Sequence, residues 1–151
     1  MLTLSERSAP VGPPAAARLS LPFELRSRSR LRVVLSTGEQ AAVLLPRGQI
    51  LRGGDRLLAS DGRIVEVVAA AEGVSTAHSG DARLLLRAAY HLGNRHVALQ
   101  LGEGWLRYAH DHVLDELVAR LGLSVTLEQA AFEPEAGAYH AGSGHSHSHP
   151  P

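Results

Sequence analysis

Near residue 72 the hydrophobic period of the chain changes, and no single layer of secondary structure can satisfy both halves. Before that point, apolar residues come in short runs broken by turn chemistry. Residues 19–25, 31–35 and 41–45 are such runs, and Ser36-Thr37-Gly38-Glu39-Gln40 is a hairpin-length connection containing glycine. Segments 56–59 and 63–68 surround Ser60-Asp61-Gly62. Asp-Gly between apolar strands is a strong hairpin signal, because both residues tolerate positive φ. Short strands with frequent turns and no helical period predict a β-rich domain over residues 1–72, a small sandwich or barrel.

After residue 72 strand and helix patterns alternate. Residues 74–78 suit a strand, and Asp81 is placed to N-cap a helix over 82–92. Leu85, Ala88, Ala89 and Leu92 share one face of that helix, and Gly93 stands where a C-terminal glycine would end it. Val97, Leu99 and Leu101 alternate as in a half-buried strand. Gly102-Glu103-Gly104 turns the chain into residues 105–110, and Asp111 is placed to cap a second helix. Val113, Leu114, Leu117, Val118 and Leu121 form its apolar stripe. Asp115 and Glu116 early, Arg120 late and Gly122 following agree with the macrodipole and the C-cap rule. Leu123, Val125 and Leu127 supply a last strand. The order β-α-β-β-α-β predicts a ferredoxin-like split βαβ domain over residues 73–135. The fold class expected is therefore α+β. Residues 136–151, rich in Gly, Pro and His and poor in apolar residues, read as a disordered tail.

Composition excludes several chemistries. All fifteen basic residues are arginine, which removes lysine Schiff bases and P-loop lysines; the absence of cysteine removes thiol nucleophiles and thiolate ligands. Net charge is zero with histidines neutral, so no global field favours nucleic acid or an anionic membrane. No apolar stretch approaches the roughly 18 residues of a membrane span. The N-terminus lacks a basic region followed by an apolar core, so a cytoplasmic protein is expected. Arg26, Arg28, Arg30 and Arg32 alternate and would lie on one strand face, a basic stripe of about 20 Å. That stripe carries the alternative expectation, a nucleic-acid- or peptide-binding module. The scarcity of aromatics argues against RNA.

All nine histidines fall after residue 77. Neutral imidazole suits nickel, copper and zinc. His96 lies where the first helix of the second domain gives way to a strand. One imidazole is a poor site, but a two-fold axis would present it twice; a histidine that only meets the last helical carbonyls is the plainer alternative. His110 and His112 flank Asp111, either as a ligand pair or as solvated neighbours of a cap. His78 and His91 are expected to be packed or hydrogen-bonded at the core edge. His140, His145, His147 and His149 lie on the tail, where free imidazoles are mostly neutral at pH 7, with a pKa of about 6.5, and suit weak, exchangeable capture. Ser75, Thr76 and Ser79 could be considered as nucleophiles, but no Gly-x-Ser-x-Gly elbow accompanies them, and an enzyme is not expected.

The run His91-Leu92-Gly93-Asn94-Arg95-His96, the run His110-Asp111-His112-Val113-Leu114 and the histidine-rich end resemble the UreE family of urease accessory proteins, nickel metallochaperones. Leu21-Pro22-Phe23-Glu24-Leu25-Arg26 and Leu45-Pro46-Arg47-Gly48 resemble its N-terminal domain, so the likeness covers residues 1 to 140. The resemblance implies a partner- or peptide-binding first domain and a ferredoxin-like second domain that binds metal and forms a homodimer. It implies His96, with its symmetry mate, as the principal ligand. His110 and His112 are implied as additional ligands, and His145, His147 and His149 as terminal ones. Ni(II) is the implied cargo, with Zn(II) and Cu(II) as competitors. The implied partners are the urease apoprotein activation complex and the urease accessory GTPase, with no nucleic acid and no membrane.

Overall fold

A computed structural model describes residues 1–137; the tail histidines His140, His145, His147 and His149 lie outside the described residues. The chain divides into two compact units between Ala70 and Ala71, and the class is mixed α+β.

The first unit contains strands β1 (Leu2–Arg7), β2 (Ala17–Leu21), β3 (Arg30–Val34), β4 (Gln40–Leu44), β5 (Arg56–Ala59) and β6 (Ile64–Ala69), with a one-turn helix α1 (Phe23–Arg26). They form one sheet in the order β2-β6-β5-β1-β4-β3. Pairs β1–β4 and β2–β6 are parallel, the others antiparallel. The two ends of this order approach each other: Ser36 N donates to Arg18 O at 2.9 Å, and Arg18 N donates to Ser36 Oγ at 2.8 Å. The sheet is thus curled almost closed around Leu4, Leu19, Val43, Leu57, Val65 and Val67, all buried. Strand β1 was not anticipated, although Leu2 and Leu4 alternate with polar residues. Its role comes from pairing with β4 and β5, which are distant in sequence.

Two local expectations change here. In the β5–β6 connection only Gly62 has positive φ, 91°. Gly62 N bonds Ala59 O and Ala59 N bonds Arg63 O, so this is a longer turn closed by a glycine bulge rather than a two-residue turn. The arginine stripe also does not exist as a strand face. Arg26 ends α1 and is fully buried, with Nε donating to Leu21 O at 2.9 Å and Nη1 to Leu51 O at 3.0 Å. Arg28 pairs with Glu24. Only Arg30 and Arg32 remain on an exposed strand face.

In the second unit the order is β7 (Ala71–His78), α2 (Ala82–Asn94), β8 (Gln100–Leu101), β9 (Trp105–Ala109), α3 (His112–Arg120) and β10 (Ser124–Ala131). The sheet order is β10-β7-β9-β8, antiparallel throughout. Both helices begin as capping chemistry requires. Asp81 accepts from Arg83 N, and Asp111 Oδ1 accepts from Val113 N and Leu114 N. Ala77, Ala88, Leu92, Leu106, Tyr108, Val118 and Leu123 form the core, with Leu84, Leu85, Leu114 and Leu117 packed on it. Val113, expected in the stripe, is instead exposed. The strand expected over 97–101 shortens to two residues, although Val97 and Leu99 still pack on the core.

Candidate metal-binding site

Helix α2 runs one residue past Gly93, and the left-handed position that ends it is occupied by His96, with φ 60°. His96 N donates to Gly93 O at 2.9 Å, and Val97 N reaches back to Leu92 O at 3.1 Å. These two bonds, with Val97 and Leu92 both in the apolar cluster, make a Schellman cap. Helix α3 ends with the same pattern. Gly122 N bonds Ala119 O and Leu123 N bonds Val118 O, but there the left-handed residue is Gly122, φ 106°. The left-handed region costs an L-residue roughly 1–2 kcal/mol that glycine does not incur. A histidine in the glycine position, exposed, is therefore held there at some expense of stability. Such an outlier is a pointer to function. Gly93, inside the helix, has no conformational need to be glycine, and a Cβ there would meet nothing within 4 Å.

On the outer face of α2, Leu86 and Tyr90 are 71% and 66% exposed. At helical spacing they share a stripe with Gly93. His91 is half-buried, its ring edge-on to Tyr90, and His78 at the end of β7 is exposed rather than packed.

His110 and His112 turn to different carboxylates. His112 Nε2 lies 3.4 Å from Glu116 in a solvated pair of helix neighbours. His110 is tied more deeply. Its backbone N bonds Gly73 O at 3.2 Å, and its Nδ1 lies 3.2 Å from Asp115 Oδ2 and 3.1 Å from Ser75 Oγ. The Tyr108 phenol donates through Oη to Asp115 Oδ1 at 2.7 Å, and the strand register sets Ser75 opposite Tyr108. Burial, reinforced by the neighbouring Asp115 carboxylate, pushes that phenol well above its ordinary range. On its outer side His110 lines an open groove of about 290 Å³ with Gly73, Val74, Leu127, Glu128 and Gln129.

Serine, histidine and aspartate meet here, but not as a nucleophilic triad. That chemistry needs the serine on one ring nitrogen and the carboxylate on the other. Here both sit at Nδ1, and Ser75 is fully buried.

Among the described residues, no three His, Asp or Glu side chains gather as a metal-holding group. His96, His110 and His112 are exposed, and among the described residues none belongs to such a group. Ser75, Tyr108 and Asp115 were not singled out as a network from sequence. Their meeting depends on the β7–β9 register, which sets Ser75 opposite Tyr108, and on α3 folding back over that pair. Among the described residues no helix is long and apolar enough to cross a membrane.

Two family profiles between them match nearly the whole chain. Residues 4–70 match the profile described as UreE urease accessory protein, N-terminal domain, and residues 72–151 match that of the C-terminal domain. The urease accessory protein UreE of Alkalilimnicola ehrlichii is 58% identical over 139 residues, covering 92% of this chain and 85% of the relative. That of Citrobacter koseri is 52% identical over 153 residues, covering 99% of both. That of Shewanella halifaxensis is 55% identical over 127 residues, covering 84% of this chain and 74% of the relative.

Proposed function

The chain belongs to the UreE family of urease accessory proteins, and from that premise we propose that it is a cytoplasmic carrier of Ni(II) for urease assembly rather than an enzyme. The observation that carries this reading is His96, an exposed imidazole in the left-handed cap position that α3 gives to Gly122. A single imidazole is a weak site, so the functional unit is a homodimer in which two copies of His96 face one ion. The exposed Leu86–Tyr90 stripe and the open space beside Gly93 support a second chain approaching along α2.

In this account residues 73–135 form a ferredoxin-like metal-binding and dimerisation domain. His110 and His112 are additional ligands at the N-terminus of α3. His145, His147 and His149 collect metal and release it again, as suits a cargo that must be passed on. Residues 1–72 form the domain that meets a partner, and the nickel moves toward the urease apoprotein through the urease accessory GTPase. Imidazole also suits Zn(II) and Cu(II), so selectivity rests on geometry and supply. The alternative as a nucleic-acid-binding module loses its four-arginine surface with the burial of Arg26.

Calorimetric nickel titration tests this. His96→Ala is expected to remove the tight site and leave weaker binding by the other histidines. Unchanged tight binding would refute the assignment.

A further inference from the structure

We infer that Asp115, Ser75 and Tyr108 are positioning residues that hold His110 as its Nδ1–H tautomer and so present Nε2, with its lone pair, to a divalent metal ion. This rests on the reading of His110 as a metal ligand and goes beyond it by naming what prepares the imidazole.

The wiring follows from donor and acceptor inventories. An ionised carboxylate only accepts, and Asp115 Oδ2, 3.2 Å from His110 Nδ1, repels a lone pair there and so favours a hydrogen on Nδ1. The other carboxylate oxygen is satisfied by the Tyr108 phenol. Ser75 Oγ, 3.1 Å from the same Nδ1, is a second acceptor for that hydrogen. The chain of contacts runs Tyr108–Asp115–His110–Ser75. In the neutral imidazole one nitrogen carries the hydrogen and the other the lone pair, so fixing Nδ1–H leaves Nε2 free.

Exposure agrees with this division. The Asp115 side chain is 16% exposed and His110 is 42% exposed, so a largely covered carboxylate meets Nδ1 of a ring that still reaches solvent. Ser75 and Tyr108 are fully buried on neighbouring strands, giving the arrangement a rigid base. Metal-binding histidines generally donate their second ring N–H to such a carboxylate, and loss of that partner typically weakens metal binding by about 10–100-fold. His112 has no comparable support. Its carboxylate neighbour is a solvated residue of the same helix, and the contact uses Nε2 itself.

The test begins on the metal-free full chain, labelled with ¹⁵N-histidine and held near pH 8, where long-range ¹H–¹⁵N spectra distinguish the two tautomers. His110 is expected as Nδ1–H, against the Nε2–H preference of histidine in water. Asp115→Ala is expected to shift it to Nε2–H and weaken the His110-dependent nickel step by about 10-fold or more. Asp115→Asn has one acceptor oxygen, which the Tyr108 hydroxyl takes, so its NH2 faces Nδ1 and it too is expected to give Nε2–H and the weaker nickel step. Ser75→Ala, which leaves the carboxylate in place, gives a smaller shift and covers the case in which Asp115→Ala fails to fold. An Nε2–H tautomer in the wild type, or one unmoved by either Asp115→Ala or Ser75→Ala, would overturn the inference. A tautomer that responds as expected, with His110→Ala binding nickel as the wild type does, would instead overturn the reading of His110 as a ligand.

Discussion

His96 donates its backbone N–H to the carbonyl of Gly93 at 2.9 Å and closes α2 from a left-handed conformation. The glycine lies inside the helix and the histidine takes the strained position, the reverse of the usual assignment.

The exchange has a measurable cost. His96→Gly should stabilise the protein by roughly 0.5 kcal/mol or more, the relief of left-handed strain outweighing the added freedom of the unfolded chain. His96→Ala retains the strain and should be close to neutral. The same conformation in α3 predicts the opposite sign. Gly122→Ala should cost about 1–2 kcal/mol, and its new Cβ would stand 3.3 Å from Leu84 Cδ1. Urea unfolding of the three variants checks this. A His96→Gly variant less stable than wild type would remove the argument from strain.

In the first unit, Arg63 joins the two hairpin connections. Its guanidinium bonds both Glu39 oxygens, at 2.8 and 2.7 Å, and Asp61 at 2.8 Å. Hydrogen bonds from Arg63 and then Thr37 hold the Glu39 carboxyl down at about 2, against an ordinary 4.5. A depressed carboxyl contributes stability above its unfolded value and loses it as pH falls through its folded one. The contribution is therefore complete above about 4.5 and fades toward about 2. Carboxyl-detected NMR titration should give a Glu39 midpoint near 2 in the wild type, moving up toward 4.5 in Arg63→Gln. A midpoint that stays low in the variant would exclude Arg63 as the cause.

Tyr90 and Leu86 are surface residues in one chain, where substitutions usually change stability by less than about 0.5 kcal/mol. If a second copy covers them, Tyr90→Glu should dissociate the dimer while far-UV circular dichroism retains the helices. The nickel site dependent on His96 should weaken with it. Sedimentation showing a dimer as tight as wild type would place the interface elsewhere.

Much of this was legible because local chemistry and packing agree. Asp81 and Asp111 marked the starts of α2 and α3, and the stripes around Leu85 and Leu117 marked their inward faces. The end of α2 was not legible, because Gly93 is the residue that usually closes a helix, while the real closing residue is a histidine. Arg26 misled for a similar reason. The period-two arginines read as a strand, but Pro22 and Phe23 start a helical turn, and carbonyls of distant Leu51 and nearby Leu21 accept from the buried guanidinium. The surroundings of His110 depend on strand register and on a helix crossing it, and neither is written in a spacing.

The central claim is that His96 becomes the tight site only when two chains share it. Native mass spectrometry during nickel titration tests this most directly. The first ion should appear on a dimer, at one nickel per two chains, and should be missing from His96→Ala. Tight nickel on a monomer, or an unchanged first step in His96→Ala, would contradict it.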